Sequence, residues 1–363
     1  MLDRRDILGW LTEGRECRLE ELWARADAVR RERVGEAVHL RGLIEISNHC
    51  RRQCGYCGLR AGNRQLPRYR MSDQEILDCV RQAEAFGYGT VVLQAGEDEA
   101  LTQERVGDLV RRIKADAPLA VTLSLGERTP EELACWRRAG ADRYLLRFET
   151  SNRELYERIH PPPPGGGGTA VHRFELLRVL RELGYEVGSG VMIGIPGQTW
   201  ADLTEDILAF ERLDLDMIGV GPYIAHPATP LASDATVAPA PAGEALESSQ
   251  VPADELTTYK VIALARLACP RANIPSTTAL ATLNLAQGRE TGLCRGANVV
   301  MPNLTPARYR EMYEIYPAKA CVRETSDDCH RCMSGRIRSI GRVVGAGRGD
   351  SPNRLARQES DSR

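Results

Sequence analysis

The chain has 363 residues, enough for one large domain or two small ones. Apolar residues make up 42% and charged residues 27%, as in an ordinary globular protein, and the formal net charge of −2 implies neither a polyanion-binding surface nor an acidic tail. No apolar run approaches the roughly 18 residues of a membrane span, and the charged start MLDRRDILGWLTEGRE lacks the apolar core of a signal peptide. The expected location is therefore the cytoplasm, with neither a membrane nor a nucleic acid as partner.

Residues 1–35 read as one or two helices packed outside the main domain. From residue 36 onward, short β-branched or apolar runs alternate with helical patterns. The strand candidates are 39–47, 90–96, 119–126, 143–150, 186–194, 217–224, 273–280 and 298–304. Between them, SDQEILDCVRQAEAFG (72–87) shows the helical signals plainly. Ser72 offers an N-cap, Glu75 completes a capping box and Gly87 ends the helix. Segments 151–159, 173–184 and 199–213 are of the same kind. Eight strands separated by helices predict an α/β fold with a parallel sheet, closed as a (β/α)8 TIM-type barrel over 36–320. A doubly wound open sheet is the alternative. PPPPGGGG (161–168) can form neither helix nor strand and reads as a solvated insertion. The Ala-, Pro- and Ser-rich stretch 232–255 reads as a long loop. Residues 321–342 form a C-terminal extension, and the polar tail 343–363 is expected to be disordered.

Six of the eleven cysteines fall into two tight groups. Cys50, Cys54 and Cys57 form C-x3-C-x2-C, three residues past the first strand, where a barrel places its chemistry. Three thiolates so close can share one soft metal centre. A structural zinc site needs four ligands, so a zinc knuckle would have to add His49. An iron–sulfur cubane on three cysteines instead leaves one iron open to a small molecule. Cys321, Cys329 and Cys332 form C-x7-C-x2-C at the expected barrel edge. They fit an auxiliary iron–sulfur cluster, a zinc site or no metal at all. Lysine is rare: Lys114, Lys260 and Lys319 are the only three.

The first group, with Tyr56 just before its last cysteine, resembles the signature of the radical-SAM superfamily. That resemblance implies a [4Fe–4S] cluster on Cys50, Cys54 and Cys57. The open iron chelates the amino and carboxylate groups of S-adenosylmethionine (SAM). An external one-electron donor reduces the cluster, and cleavage of the C5′–S bond yields methionine and a 5′-deoxyadenosyl radical. LQAGED resembles the family's Gly-Gly-Glu element, which receives the methionine amino group through Gly96 and Glu97. Ala95 stands where that element has its first glycine. GVMIGIPGQT (190–199) resembles the glycine-rich segment that passes close to the adenine.

IEISNHCRRQCGYCGLR, VVLQAGED, TLSLGE, DRYLLRFET, GIPGQT, DMIGVGPYIAHPATPL and GANVVMPNLTP resemble the HydE family of [FeFe]-hydrogenase maturases. Biotin synthase and methylornithine synthase are its nearest relatives by type. The resemblance implies an organometallic substrate, a cysteine-bound iron–carbonyl–cyanide precursor, and other hydrogenase maturases as partners. A small amino acid or thiol substrate is the alternative. A protein that only carries iron–sulfur clusters is the alternative of another class. By the same resemblance, Glu149 holds the SAM ribose hydroxyls and Arg173 pairs with the SAM carboxylate. Gln94, Thr122, Ser124, Arg143, Arg147, Met192 and Met217 match positions lining the SAM or substrate cavity. Tyr313 and Tyr316 match tyrosines near its floor. On the residues alone, Arg143 and Arg147 share one strand face and could equally be interior salt-bridge partners, and the two methionines could be core.

Overall fold

The computed structural model describes residues 2–162, 173–234 and 246–361. Most of the insertion expected at 161–168 and the middle of 232–255 lie outside the described residues. The strands are β1 (Ala37–Ser47), β2 (Thr90–Ala95), β3 (Ala120–Ser124), β4 (Arg143–Leu145), β5 (Glu186–Ser189), β6 (Met192–Ile193), β7 (Met217–Ile218), β8 (Gly221–Pro222), β9 (Val299–Val300) and β10 (Val343–Val344).

Parallel pairing runs β1-β2-β3-β4-β5-β7, and β9 returns to β1 with Val299 opposite His39. Single parallel bridges, Met217 to Asn273 and Pro275 to Val299, carry the sheet through the gap. There Ile218 N donates to Asn273 O at 2.9 Å, and Ser276 N donates to Val299 O at 2.9 Å. The ring is therefore a TIM-type barrel, as the strand–helix alternation predicts. The expected strand at 186–194 is split. Its second half, β6, pairs with β8 and extends the wall upward at the C-terminal mouth.

Local sequence explains the helices. Ser72 with Glu75, Thr129 with Glu132 and Thr199 with Asp202 all form capping boxes. The N-terminal residues form helices Arg4–Thr12 and Glu16–Val34, which pack outside the barrel on helices Trp200–Arg212 and Glu255–Ala268. On β1, Val38, Leu40, Ile44 and Ile46 join the apolar core. The alternate residues Arg41, Leu43 and Glu45 turn into the barrel, so its interior carries charge.

Over the described residues 343–361 the tail is ordered, not disordered. β10 pairs with β1, Gly345 N donates to Val38 O at 2.9 Å, and the helix Pro352–Asp361 follows. The segment closes the N-terminal mouth by polar contacts, which is why its composition misled. Gly349 O accepts from Arg41 Nη2 and from Asn273 Nδ2, each at 3.1 Å, and Arg348 reaches Asp142 at 2.6 Å.

Arg143, expected to line the cavity, does not. It begins β4 and so sits at the closed mouth. Its Nε donates to Glu186 Oε2 at 2.6 Å, its Nη1 to Thr90 Oγ1 at 2.7 Å, and its Nη2 to Arg348 O at 3.0 Å and to Asp350. Four residues of extended chain separate it from Arg147 by about 13 Å. The two arginines share a face but not a depth.

Candidate active site

The three cysteines lie in the loop after β1, at the open C-terminal mouth. The loop has no regular structure, so side chains shape it. Arg68 donates to four of its carbonyls, those of Asn48 (2.6 Å), Leu59 (2.8 Å), Arg60 (2.8 Å) and Asn63 (3.1 Å). Gly55 N donates to Ile159 O at 2.7 Å and Gly58 N to Ile315 O at 2.8 Å, tying the loop to distant segments. Burial pushes all three thiols up, Cys57 to about 12. Thiolates in such a place need the positive charge of a bound metal centre. Among the described residues, no three His, Cys, Asp or Glu side chains close on a single metal ion. Thiolates on separate irons of a cubane need no common point. The set therefore fits an iron–sulfur cubane.

The GED segment sits against this loop. A Cβ on Gly96 would meet His49 O at 2.3 Å and Cys50 Cβ at 2.7 Å, so only glycine allows the approach. Glu97 is buried. Its Oε1 accepts from Glu127 N at 3.0 Å and its Oε2 from Arg51 Nε at 3.4 Å. Asp98 receives Ser47 Oγ at 2.6 Å and a bidentate Arg70 at 2.7 and 2.9 Å.

Above the barrel interior lies a cavity of about 350 Å3. Of the residues expected there, Gln94, Ser124, Arg147, Glu149, Arg173, Met192, Met217 and Tyr316 line it. Tyr313 stands just behind, with Gln94 Nε2 donating to its hydroxyl at 3.3 Å. Thr122 lies deeper in the barrel, and its buried hydroxyl has no hydrogen-bond partner. Glu149 has the features of a ligand-binding carboxylate. It is buried, with a left-handed φ of 65°. Oε1 accepts from Tyr56 Oη at 3.4 Å. Oε2 lies 3.2 Å from Arg147 Nη2 but receives no aligned hydrogen bond. A strained residue with an orphaned buried oxygen marks a site waiting for a donor.

Arg173 is buried beside the cavity. Its Nε donates to Glu127 Oε1 at 2.9 Å, and its other nitrogens meet Arg147 O and His160 Nε2. Arg52 Nη2 faces the other ring nitrogen of His160 at 2.6 Å. Burial, with Arg173 and Arg52 adding to it, holds the His160 imidazole well below its ordinary range, so it is neutral. Sequence reasoning missed His160 and Glu127, which carry no local pattern. It also missed Glu45 and Lys319, paired at 2.6 Å on the cavity wall, with Asn303 Nδ2 donating to Glu45 at 3.0 Å. There a signal existed: strand alternation turns Glu45 inward, and lysine is rare in this chain.

The second cysteine group is not remote. Cys321 and Cys329 line the same cavity, while Cys332 is exposed. Arg289 Nη1 lies 3.6 Å from Cys321 Sγ, and Arg336 Nε lies 3.4 Å from Cys332 Sγ. A hydrogen bond from Cys329 lowers the Cys321 thiol below its ordinary range.

Residues 44–209 match the model of the radical SAM superfamily, and the closed barrel with this cysteine loop and cavity at its open mouth fits a radical-SAM enzyme. The cofactors of that class are a [4Fe–4S] cluster and SAM. Over 326 residues the chain is 44% identical to the [FeFe] hydrogenase maturase subunit HydE of Thermotoga maritima, covering 90% of this chain and 87% of that one. It is 28% identical over 297 residues to a 3-methylornithine synthase of Methanosarcina acetivorans, covering 81% and 77% of the two chains. The crystal structure of methylornithine synthase (PylB) has the same fold, with a TM-score of 0.77 at 23% identity over 99% of this chain and 96% of that one. The chain belongs to the HydE family of radical-SAM enzymes.

Proposed function

We propose that this protein is an [FeFe]-hydrogenase maturase of the HydE type, which processes a cysteine-bound iron–carbonyl–cyanide precursor of the di-iron cofactor. The observation that carries this reading is the 44% identity to the Thermotoga maritima maturase across nearly the whole chain. Cys50, Cys54 and Cys57 hold the [4Fe–4S] cluster, which when bound supplies the electron that breaks the C5′–S bond of SAM. Glu149 takes the ribose hydroxyls on its orphaned oxygen. Arg173 turns from His160 to the SAM carboxylate. Gly96 lets the end of β2 approach the cofactor, and Glu97 steadies it near the methionine amino group. Thr122, Ser124, Met192 and Met217 shape the space beneath. Gln94, Arg147, Tyr313 and Tyr316 face the substrate, and Arg147 with Lys319 suits an anionic metal complex.

In this reading Cys321, Cys329 and Cys332 hold a second iron–sulfur cluster. An external donor supplies electrons, and other hydrogenase maturases act before and after this protein in the cytoplasm. No helix among the described residues is long and apolar enough to cross a membrane. The test is a cell-free maturation mixture lacking its HydE. Added protein restores hydrogenase activity if the reading holds. Intact SAM cleavage without restored hydrogenase contradicts it and favours a small amino acid or thiol substrate, for which the similarity to 3-methylornithine synthase speaks. A mere cluster carrier is disfavoured, since it has no use for the strained, half-partnered Glu149.

A further inference from the structure

Asp206 lies on the helix Trp200–Arg212, behind the cavity wall, and is fully buried. Four donors reach it. Oδ1 accepts from Ser151 N at 2.5 Å, Ser151 Oγ at 2.7 Å and Thr150 Oγ1 at 3.4 Å. Oδ2 accepts from Gln198 Nε2 at 3.2 Å. Gln198 is buried too. Its Oε1 accepts from Gly194 N at 2.7 Å and Ile195 N at 3.3 Å, and its Nε2 also donates to Met192 O at 3.1 Å. These contacts allow one amide orientation only, with the oxygen on the backbone N–H groups and the nitrogen on Asp206.

One carboxylate therefore joins two turns that feed the cavity. One oxygen holds the turn after Glu149; the other, through Gln198, holds the turn after Met192. Glu149 needs that support, because a left-handed non-glycine residue persists only where its surroundings over-determine it. We propose that the Asp206 carboxylate is a positioning residue for SAM, holding both turns in the receiving conformation, and that its protonation releases the Gly194–Gly197 turn.

The reason is a matter of donors and acceptors. A protonated Oδ2 is a donor facing the Gln198 amide nitrogen, another donor. The proton goes to Oδ2 because Oδ1 already accepts from three donors. The Gln198 amide relieves the clash by turning over, and Gly194 N and Ile195 N then lose their acceptor. Burial, with Asp202 one turn back on the same helix adding to it, pushes Asp206 up to about 7 against the Ser151 hydrogen bonds. The groups that face it from other elements, Ser151, Thr150 and Gln198, are neutral. Stability and binding then run in opposite directions. The folded pKa lies above the unfolded value of about 3.9, so Asp206 favours the fold increasingly as pH falls from about 7. SAM binding weakens over the same fall. A merely structural carboxylate would not part the two.

The experiment is equilibrium binding of SAM to the cluster-loaded protein, wild type and D206N, between pH 6 and 8.5. The D206N side chain keeps an oxygen for Ser151 and puts an amide nitrogen where Oδ2 stands, so it mimics the protonated form. The ratio of dissociation constants, variant over wild type, is expected to be about ten at pH 8.5 and to fall towards one at pH 6. Taking the ratio removes the titration of SAM itself. A ratio that does not change with pH overturns the proposal. A second readout needs neither SAM nor a variant: amide hydrogen exchange at Gly194 and Ile195, corrected for the intrinsic rate. It is expected to lose protection as pH falls from 8.5 to 6, and constant protection overturns the proposal. The inference rests on SAM as cofactor and not on the substrate, so the hydrogenase test can fail while this one succeeds.

Discussion

At the scale of single residues, Glu149 on the cavity wall and Arg143 at the closed mouth differ in how fully their charges are partnered. Glu149 has one oxygen that faces Arg147 without a hydrogen bond, whereas Arg143 has every arm engaged. Their substitutions should therefore fail differently. Glu149→Gln should weaken SAM binding at least about tenfold, with iron content unchanged, as equilibrium binding and iron analysis would show. Arg143→Met strips buried Glu186 of its 2.6 Å partner, leaving it Arg354 at 3.3 Å, and leaves Asp350 short of a cation. It should lower the unfolding free energy by about 3–5 kcal/mol, read in denaturant, while the folded fraction still cleaves SAM at the wild-type rate. The cysteine trio was legible because its ligand count and spacing are local. The place of Glu149 on the cavity wall was legible from the strand-like run 143–150. The depth of Arg143 was not, because a period of two fixes a strand face and says nothing of which mouth is closed.

At the scale of elements, the capped helices were readable, since Ser72 and Glu75 satisfy each other within one turn. The tail was not. It buries little apolar surface of its own, and its partners, Asp142, Arg143 and Glu186, come together only when the barrel closes. Two expectations follow for it. Gly89 faces the tail so closely that a Cβ would meet Gly347 O at 1.7 Å. Gly89→Ala should dislodge the tail and lower the melting temperature nearly as much as deleting residues 343–363. Equal melting temperatures for wild type and Gly89→Ala would contradict this docking.

The second expectation concerns acid. Asp142 and Asp350 are held below the ordinary carboxylate range. Burial opposes this, but the Val121 N–H and Arg348 at Asp142, and Arg143 and Arg348 at Asp350, outweigh it. Their contribution is present above the unfolded pKa of about 3.9 and is lost as pH falls through the lower folded values. The gap in melting temperature between full-length and tail-deleted protein should therefore shrink between pH 5 and pH 3.

At the scale of the whole molecule, the barrel has one closed mouth and one open one. The tail and its ion pairs seal the N-terminal end. The cysteine loop, Glu149 and the second cysteine group gather at the other, around a single cavity. Strand–helix alternation announced the barrel, but not that Cys321 would share a cavity wall with Glu149. Chain separation hides a contact that only the closed ring creates. In the proposed function, Cys50, Cys54 and Cys57 hold the cluster that acts on SAM. The most direct test of that assignment is to reconstitute the protein anaerobically with iron and sulfide, reduce it with dithionite, add SAM and measure 5′-deoxyadenosine. The wild type should release 5′-deoxyadenosine and Cys54→Ala none. Wild-type protein carrying a full, reduced cluster but releasing no 5′-deoxyadenosine would contradict that assignment.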